Sequence, residues 1–175
     1  IEGIIRNGYK LSRDYHTLDF YFTKLGDSGV QALAKSRSVK ELRRLIADIS
    51  TEIKALDSNE QRLQLIKESM IHSIAMIEKS LDYILQEHPK DPFLAGSVSY
   101  NFLMMMGTFM GGWVASRSAA LAIMNLKNTG DSEFYEAKLV SSTFFIEQCL
   151  PLVDSYSKSL MSGSISTMTL TEDQF

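Results

Sequence analysis

The chain has 175 residues, 45% hydrophobic and 22% charged, with 18 basic against 21 acidic side chains and a net charge of −3. That length favours one domain, and folding at this size removes roughly 70% of the unfolded surface from water, so a core forms without disulfide or metal staples. The charge balance excludes a global basic field for nucleic acid or anionic lipid, and a single cysteine, Cys149, excludes an internal disulfide framework and fits a reducing compartment.

Residues 1–37 read as a less regular arm, with a helix expected near Asp14–Leu25 closed by Gly26. The opening Ile1-Glu2-Gly3-Ile4-Ile5-Arg6 has no long apolar core behind a basic end, so no secretory leader is expected there. It also lacks an initiator Met and reads as the start of a processed chain or of a fragment.

The bundle proper is expected over 38–162. Ser38-Val39-Lys40-Glu41 forms a capping box, and Val39, Leu42, Leu45, Ile46, Ile49, Ile53 and Leu56 follow at three- and four-residue spacing. Asp57-Ser58-Asn59-Glu60 breaks this helix and caps the next, whose stripe is Leu63, Ile66, Met70, Ile74, Ile77, Leu81 and Ile84. His88-Pro89 ends it. Asp91-Pro92 restarts the chain as N-cap and first helical residue, and the third helix runs to about Lys127, before Asn128-Thr129-Gly130. Its long uncharged stretch, from Pro92 to Ser116, is interrupted by Gly96, Gly107, Gly111, Gly112 and several serines. It reads as the central, nearly all-round buried helix of a bundle rather than a membrane span. The fourth segment starts at Asp131-Ser132 and carries Phe134, Phe144, Phe145 and Leu152 to about Met161, with a kink or break expected at Pro151. The remainder, 163–175, is small and polar and reads as a flexible tail. Short connections between long helices give an all-α, up-and-down four-helix bundle with an irregular N-terminal arm.

Catalytic chemistry is sparse. None of His16, His72 and His88 has Glu three residues before it, so no inward-facing di-metal set is expected; Glu68 and His72 read as a surface pair four apart. Cys149 sits among Phe145, Ile146, Leu150 and Pro151 and reads as an inert core thiol. No hydrolase elbow, phosphate loop or dinucleotide fingerprint is present, and Gly111-Gly112 reads as a point of close helix packing. The basic stretch Lys35, Arg37, Lys40, Arg43 and Arg44 reads as a solvated helix face, with contacts to an anionic partner or to CoA phosphates as its functional alternative. The soft stripe of Phe102, Met104, Met105, Met106, Phe109, Met110 and Trp113 reads first as core and second as a wall against an acyl chain, another domain or a partner subunit.

Several of these segments resemble one family. Gly107-Thr108-Phe109-Met110-Gly111-Gly112-Trp113, followed by Ala119-Ala120-Leu121-Ala122, is similar to the third bundle helix of the accessory domain at the C-terminus of many acyl-CoA dehydrogenases. Phe134-Tyr135-Glu136-Ala137-Lys138-Leu139, then Phe144-Phe145 and Leu150-Pro151, resembles that domain's last helix. Ile1, Gly8, Lys10 and Leu11 align with the end of the family's dehydrogenase core, although Glu2, Ile5 and Tyr9 depart from its Gln, Asp and Arg. In this register the family's catalytic glutamate precedes Ile1, so Glu2 is not the base. The resemblance implies no catalytic or metal-binding residue in this chain, no cofactor of its own, and FAD in a parent enzyme. That parent oxidises acyl-CoA to 2,3-enoyl-CoA in fatty acid metabolism and passes electrons to a separate acceptor. The bundle would pack on the dehydrogenase core of the same polypeptide and support subunit assembly or the acyl-chain entrance, in a cytoplasmic, homo-oligomeric flavoprotein. A stand-alone interaction module, and a peripheral membrane or acyl-chain binding domain, remain as alternatives.

Overall fold

The computed structural model describes residues 36–56, 59–126, 132–170 and 172–174. The arm helix expected near Asp14–Leu25, and Glu2 with it, lie outside the described residues.

Four long helical stretches follow one another: α1 (Ser36–Lys54), α2 (Gln61–Glu87), α3 (Leu94–Leu126) and α4 (Ser132–Phe144). The last continues through a π-helical turn, Phe145–Cys149, into α5 (Leu152–Leu160), before a single turn, α6 (Ile165–Met168). The all-α bundle expected from the sequence is the fold. Helix α1 already runs through Ser38, so the capping-box serine lies within the helix rather than at its cap.

Interhelical contacts fix the directions. Arg43 near the start of α1 pairs with Asp82 late in α2, while Lys67 early in α2 donates to the Leu56 carbonyl beyond the end of α1, so these helices are antiparallel. Arg62 meets Glu136 at 3.1 Å and Ser80 meets Ser157 at 2.8 Å, which makes α2 and the α4–α5 arm parallel, as in an up-and-down bundle. Burial disfavours the charge on Arg62, but the carboxylates of Glu60 and Glu136 outweigh it and hold the guanidinium above its ordinary pKa. Glu60 spends its side chain on this contact and makes no cap bond to α2.

The core follows the three-four spacing closely in the first two helices. All seven stripe positions of α2 are buried, and in α1 only Leu45 and Leu56 stand at the margin. Helix α3 packs on α1, α2, α4 and α5 and contributes Phe102, Met105, Phe109 and Trp113 to the centre. In the fourth segment Phe134, Phe144 and Leu152 are exposed, and Leu139, Ser142, Ile146, Leu150 and Val153 carry the buried stripe. The aromatics are the more hydrophobic residues, but they are out of phase with the face turned towards α3.

Pro151 sets the local structure before it. It has no N–H, and in a continuous α-helix its ring would collide with the carbonyl four residues back. The chain widens instead, so that Leu150 donates to the Phe145 carbonyl five residues earlier at 3.0 Å, and α5 restarts with Val153 donating to Leu150. At the next end, Gly163 takes a positive φ of 81°, a conformation costly for other residues, and turns the chain so that Ser164 donates to Asp91. Asp91 also accepts from the Phe93 N–H at 2.9 Å in the turn that leads into α3, which begins at Leu94 rather than at Pro92 as the sequence suggests.

The Ser80–Ser157 bond is fully buried between α2 and α5. Ser80→Ala leaves the Ser157 hydroxyl without this partner in a dry site and is expected to cost about 1–2 kcal/mol. Replacing both serines by Ala should cost less than the two single changes added together. Urea unfolding of the four variants measures the difference.

Candidate interaction surface

The chemistry-bearing side chains are dispersed. Among the described residues no three His, Cys, Asp or Glu side chains converge on a point that could hold a metal ion. His72 finds its partner not in Glu68, four residues before it, but in Asp154 of α5, with Nε2 at 2.9 and 3.1 Å from the two carboxylate oxygens. Glu68 accepts from Gln64 instead. His88 closes α2, and its buried Nε2 has no partner among the described residues. Cys149 is half-buried on the π turn rather than in the core, because the widened turn rotates it off the buried face. In the basic stretch, Lys40 and Arg44 are exposed and Arg43 is held by Asp82.

A cleft of about 310 Å³ lies beside the π turn, between α2 and α5. Its floor is Ile146, Leu150 and Pro151, and its polar rim is Glu68, His72 and Asp154. Two carboxylates and an imidazole already bonded to one of them offer an anionic ligand little.

The soft stripe of α3 divides by phase. Phe102, Met105, Met106, Phe109 and Trp113 are core, while Met104 and Met110 reach the margin. Tyr100, Gly107, Val114 and Leu121, spaced seven apart, are exposed, so α3 is not buried all round. This seam carries no acidic residue. Along one edge Phe145 lies over Gly111, where an added Cβ would come within 2.5 Å of the ring. Along the other, Arg117 is tied to α1 through Glu52. A second apolar surface is the outer side of α4, where Val140 and Phe144 are four apart and each more than 60% exposed. No helix among the described residues is long and apolar enough to cross a membrane. The sequence reading missed the seam, because on a helix apolar on all sides no spacing marks one face as exposed.

Glu52 joins α1 to α3. Its carboxylate accepts from the Trp113 indole at 3.2 Å and from Arg117 Nε at 2.9 Å, and the Arg117 guanidinium stands 5.2 Å from the centre of the Trp113 ring. The site is partly shielded, so these charged bonds retain value. Glu52→Ala is expected to cost about 2 kcal/mol and to shift the emission of Trp113, the chain's single tryptophan. Glu52→Gln keeps an acceptor and should cost less. Fluorescence-monitored urea unfolding reads both effects.

Residues 39–171 match the family model described as Acetyl-CoA dehydrogenase C-terminal like. The chain is 30% identical over 114 residues to 3-methylmercaptopropionyl-CoA dehydrogenase of Ruegeria pomeroyi, a match that covers 65% of this chain and 19% of the relative. It is 35% identical over 86 residues to the broad-specificity linear acyl-CoA dehydrogenase FadE5 of Mycobacterium tuberculosis, covering 47% of this chain and 14% of the relative. The matched region thus spans less than a fifth of the length of either relative. The chain belongs to the Acetyl-CoA dehydrogenase C-terminal like family, a C-terminal domain of acyl-CoA dehydrogenases.

Proposed function

We propose that this chain is a non-catalytic accessory domain of an FAD-dependent acyl-CoA dehydrogenase that oxidises an acyl-CoA to its 2,3-enoyl-CoA. The observation that carries this reading is the family match over residues 39–171, supported by two relatives named as dehydrogenases that extend far beyond the matched region. The cleft beside the π turn does not fit the flavin itself. A dinucleotide belongs at the large end of the roughly 300–1,000 Å³ range of ligand sites, and the cleft beside the π turn has about 310 Å³. Its rim presents Glu68 and Asp154 where a pyrophosphate needs donors. In this reading the flavin and the catalytic base belong to the dehydrogenase part of the parent, in a cytoplasmic setting.

In this reading the bundle packs on that part through an exposed apolar face, for which Val140 and Phe144 on α4 are suited. Where Met104 and Met110 reach the margin of α3, they offer the acyl-chain entrance its only soft lining from the stripe. Substituting these two methionines by Ala in the parent enzyme should change chain-length preference; an unchanged preference excludes the entrance role.

The test of the reading as a whole uses the protein expressed with its natural upstream coding region. Its absorption spectrum should show bound flavin, which a panel of acyl-CoA thioesters should bleach. Absence of flavin would overturn the reading in favour of a stand-alone interaction module.

A further inference from the structure

Helices α1 and α3 are tied at one level, where Glu52 accepts from Arg117 at 2.9 Å and from Trp113 at 3.2 Å. Both run antiparallel to α2. Arg43 of α1 meets Asp82, while Gly112 of α3 lies against Met70 and the chain turns from the end of α2 straight into α3. The two are therefore parallel to each other, and equal steps back along each stay level. Seven residues before the tied pair stand Leu45 on α1 and Met110 on α3, with Leu103 two further turns back along α3. All three are half-buried and pack on the edge of the core. Gly107 lies between Leu103 and Met110, exposed, and an added Cβ there would meet nothing within 4 Å among the described residues. This boundary is an apolar groove walled by Leu45, Leu103 and Met110, floored by Gly107 and closed at one end by the Glu52–Arg117 pair.

We propose that residues 14–25 of this chain lie in that groove, antiparallel to α1. The point at which the chain enters α1 favours them. Ser36, the first residue of α1, precedes Glu52 by about 24 Å of helix and stands level with Asn101, so the preceding chain arrives at the open end of the groove. Length allows the return: residues 26–35 span at most about 36 Å, twice the roughly 18 Å that a helix over 14–25 would occupy. The tether also holds this segment at an effective concentration on the order of millimolar, an advantage that no separate chain has.

The pattern of the segment fits the groove. Tyr15, Leu18, Phe22 and Leu25 recur at alternating three- and four-residue steps, the spacing of a helix that packs along one side. Large apolar side chains on that side match a floor without a side chain at Gly107. A helix joined to α1 by a modest connection and antiparallel to it also continues the up-and-down order of the bundle. The inference does not rest on the dehydrogenase reading. With the groove filled, Met110 faces this segment, and the acyl-chain entrance keeps Met104 as its soft lining.

The test is thiol protection in the 175-residue protein, with Cys149→Ser as background. Gly107→Cys places a thiol on the groove floor, and Val140→Cys places one on the exposed face of α4. N-ethylmaleimide should react with the first at least about tenfold more slowly than with the second, at every protein concentration. Adding Leu18→Asp and Phe22→Asp to Gly107→Cys should restore fast labelling, with the helical circular dichroism of 36–160 retained. Equal labelling of Gly107→Cys and Val140→Cys would overturn the proposal, and is the result expected if a part of a longer polypeptide fills the groove. Protection that disappears on dilution would overturn it in favour of a second copy. Protection that survives the two aspartates would overturn it as well, because the covering segment would then lie elsewhere.

Discussion

Phe109→Ala should lower the unfolding free energy by about 3–5 kcal/mol, among the largest losses of any single truncation in this chain. Phe109 is fully buried in the middle of α3, and α3 is the helix on which α1, α2, α4 and α5 all pack. Truncation removes the ring's transfer free energy and leaves a cavity that flanking helices cannot close without shifting their own contacts. For a domain of this size the loss corresponds to a fall in melting temperature on the order of 10 °C. Tyr100, on the exposed seam of the same helix, is the control: Tyr100→Ala should stay within about 0.5 kcal/mol in monomeric protein. Thermal and urea unfolding of both variants decide the matter. If the two losses are equal, the assignment of the Phe109 face to the core is wrong.

The contrast between those two residues also shows how far the sequence could be read. In α2 the stripe from Leu63 to Ile84 sits among charged residues, so phase alone separates core from solvent, and every stripe residue is buried. Helix α3 has one charged residue, Arg117, and hydrophobicity on all sides. Phase then has nothing to contrast with, and only the placement of α1 and α4 decides that Tyr100, Gly107, Val114 and Leu121 remain uncovered. In the fourth segment Phe134 and Phe144 outweigh their neighbours by hydrophobicity, but the buried face is set by Leu139, Ser142 and Ile146. Pro151 was legible as a break, whereas the π turn that accommodates it depends on how Phe145 and Leu150 seat against α3. His72 pairs with a carboxylate 82 residues away, which no local spacing encodes.

Gly112→Leu should be at least as damaging as a typical core overpacking, on the order of 3 kcal/mol, and its cause can be isolated. A Cβ at Gly112 would come 2.8 Å from Leu150 Cδ1 and 2.9 Å from the Met70 sulfur, so α2, α3 and the end of the π turn meet at this point with no spare volume. Met70 is unbranched and can swing away, but the Leu150 methyl stands closer still, so the roughly 1 kcal/mol that a helix gains when Gly becomes Ala is offset and Gly112→Ala comes out mildly destabilising. Leucine adds three further carbons, and these cannot be placed while Leu150 holds its position, because Pro151 fixes the backbone that carries it. Leu150→Ala alone opens a cavity and should itself cost about 2–4 kcal/mol. Combined, the two changes exchange volume across the same contact, and the double variant should be more stable than the sum of the singles by at least about 1 kcal/mol. A double-mutant cycle by urea unfolding gives this coupling directly. Strict additivity would mean that Gly112 and Leu150 do not share the contact, and that the close approach of α3 to the π turn has another origin.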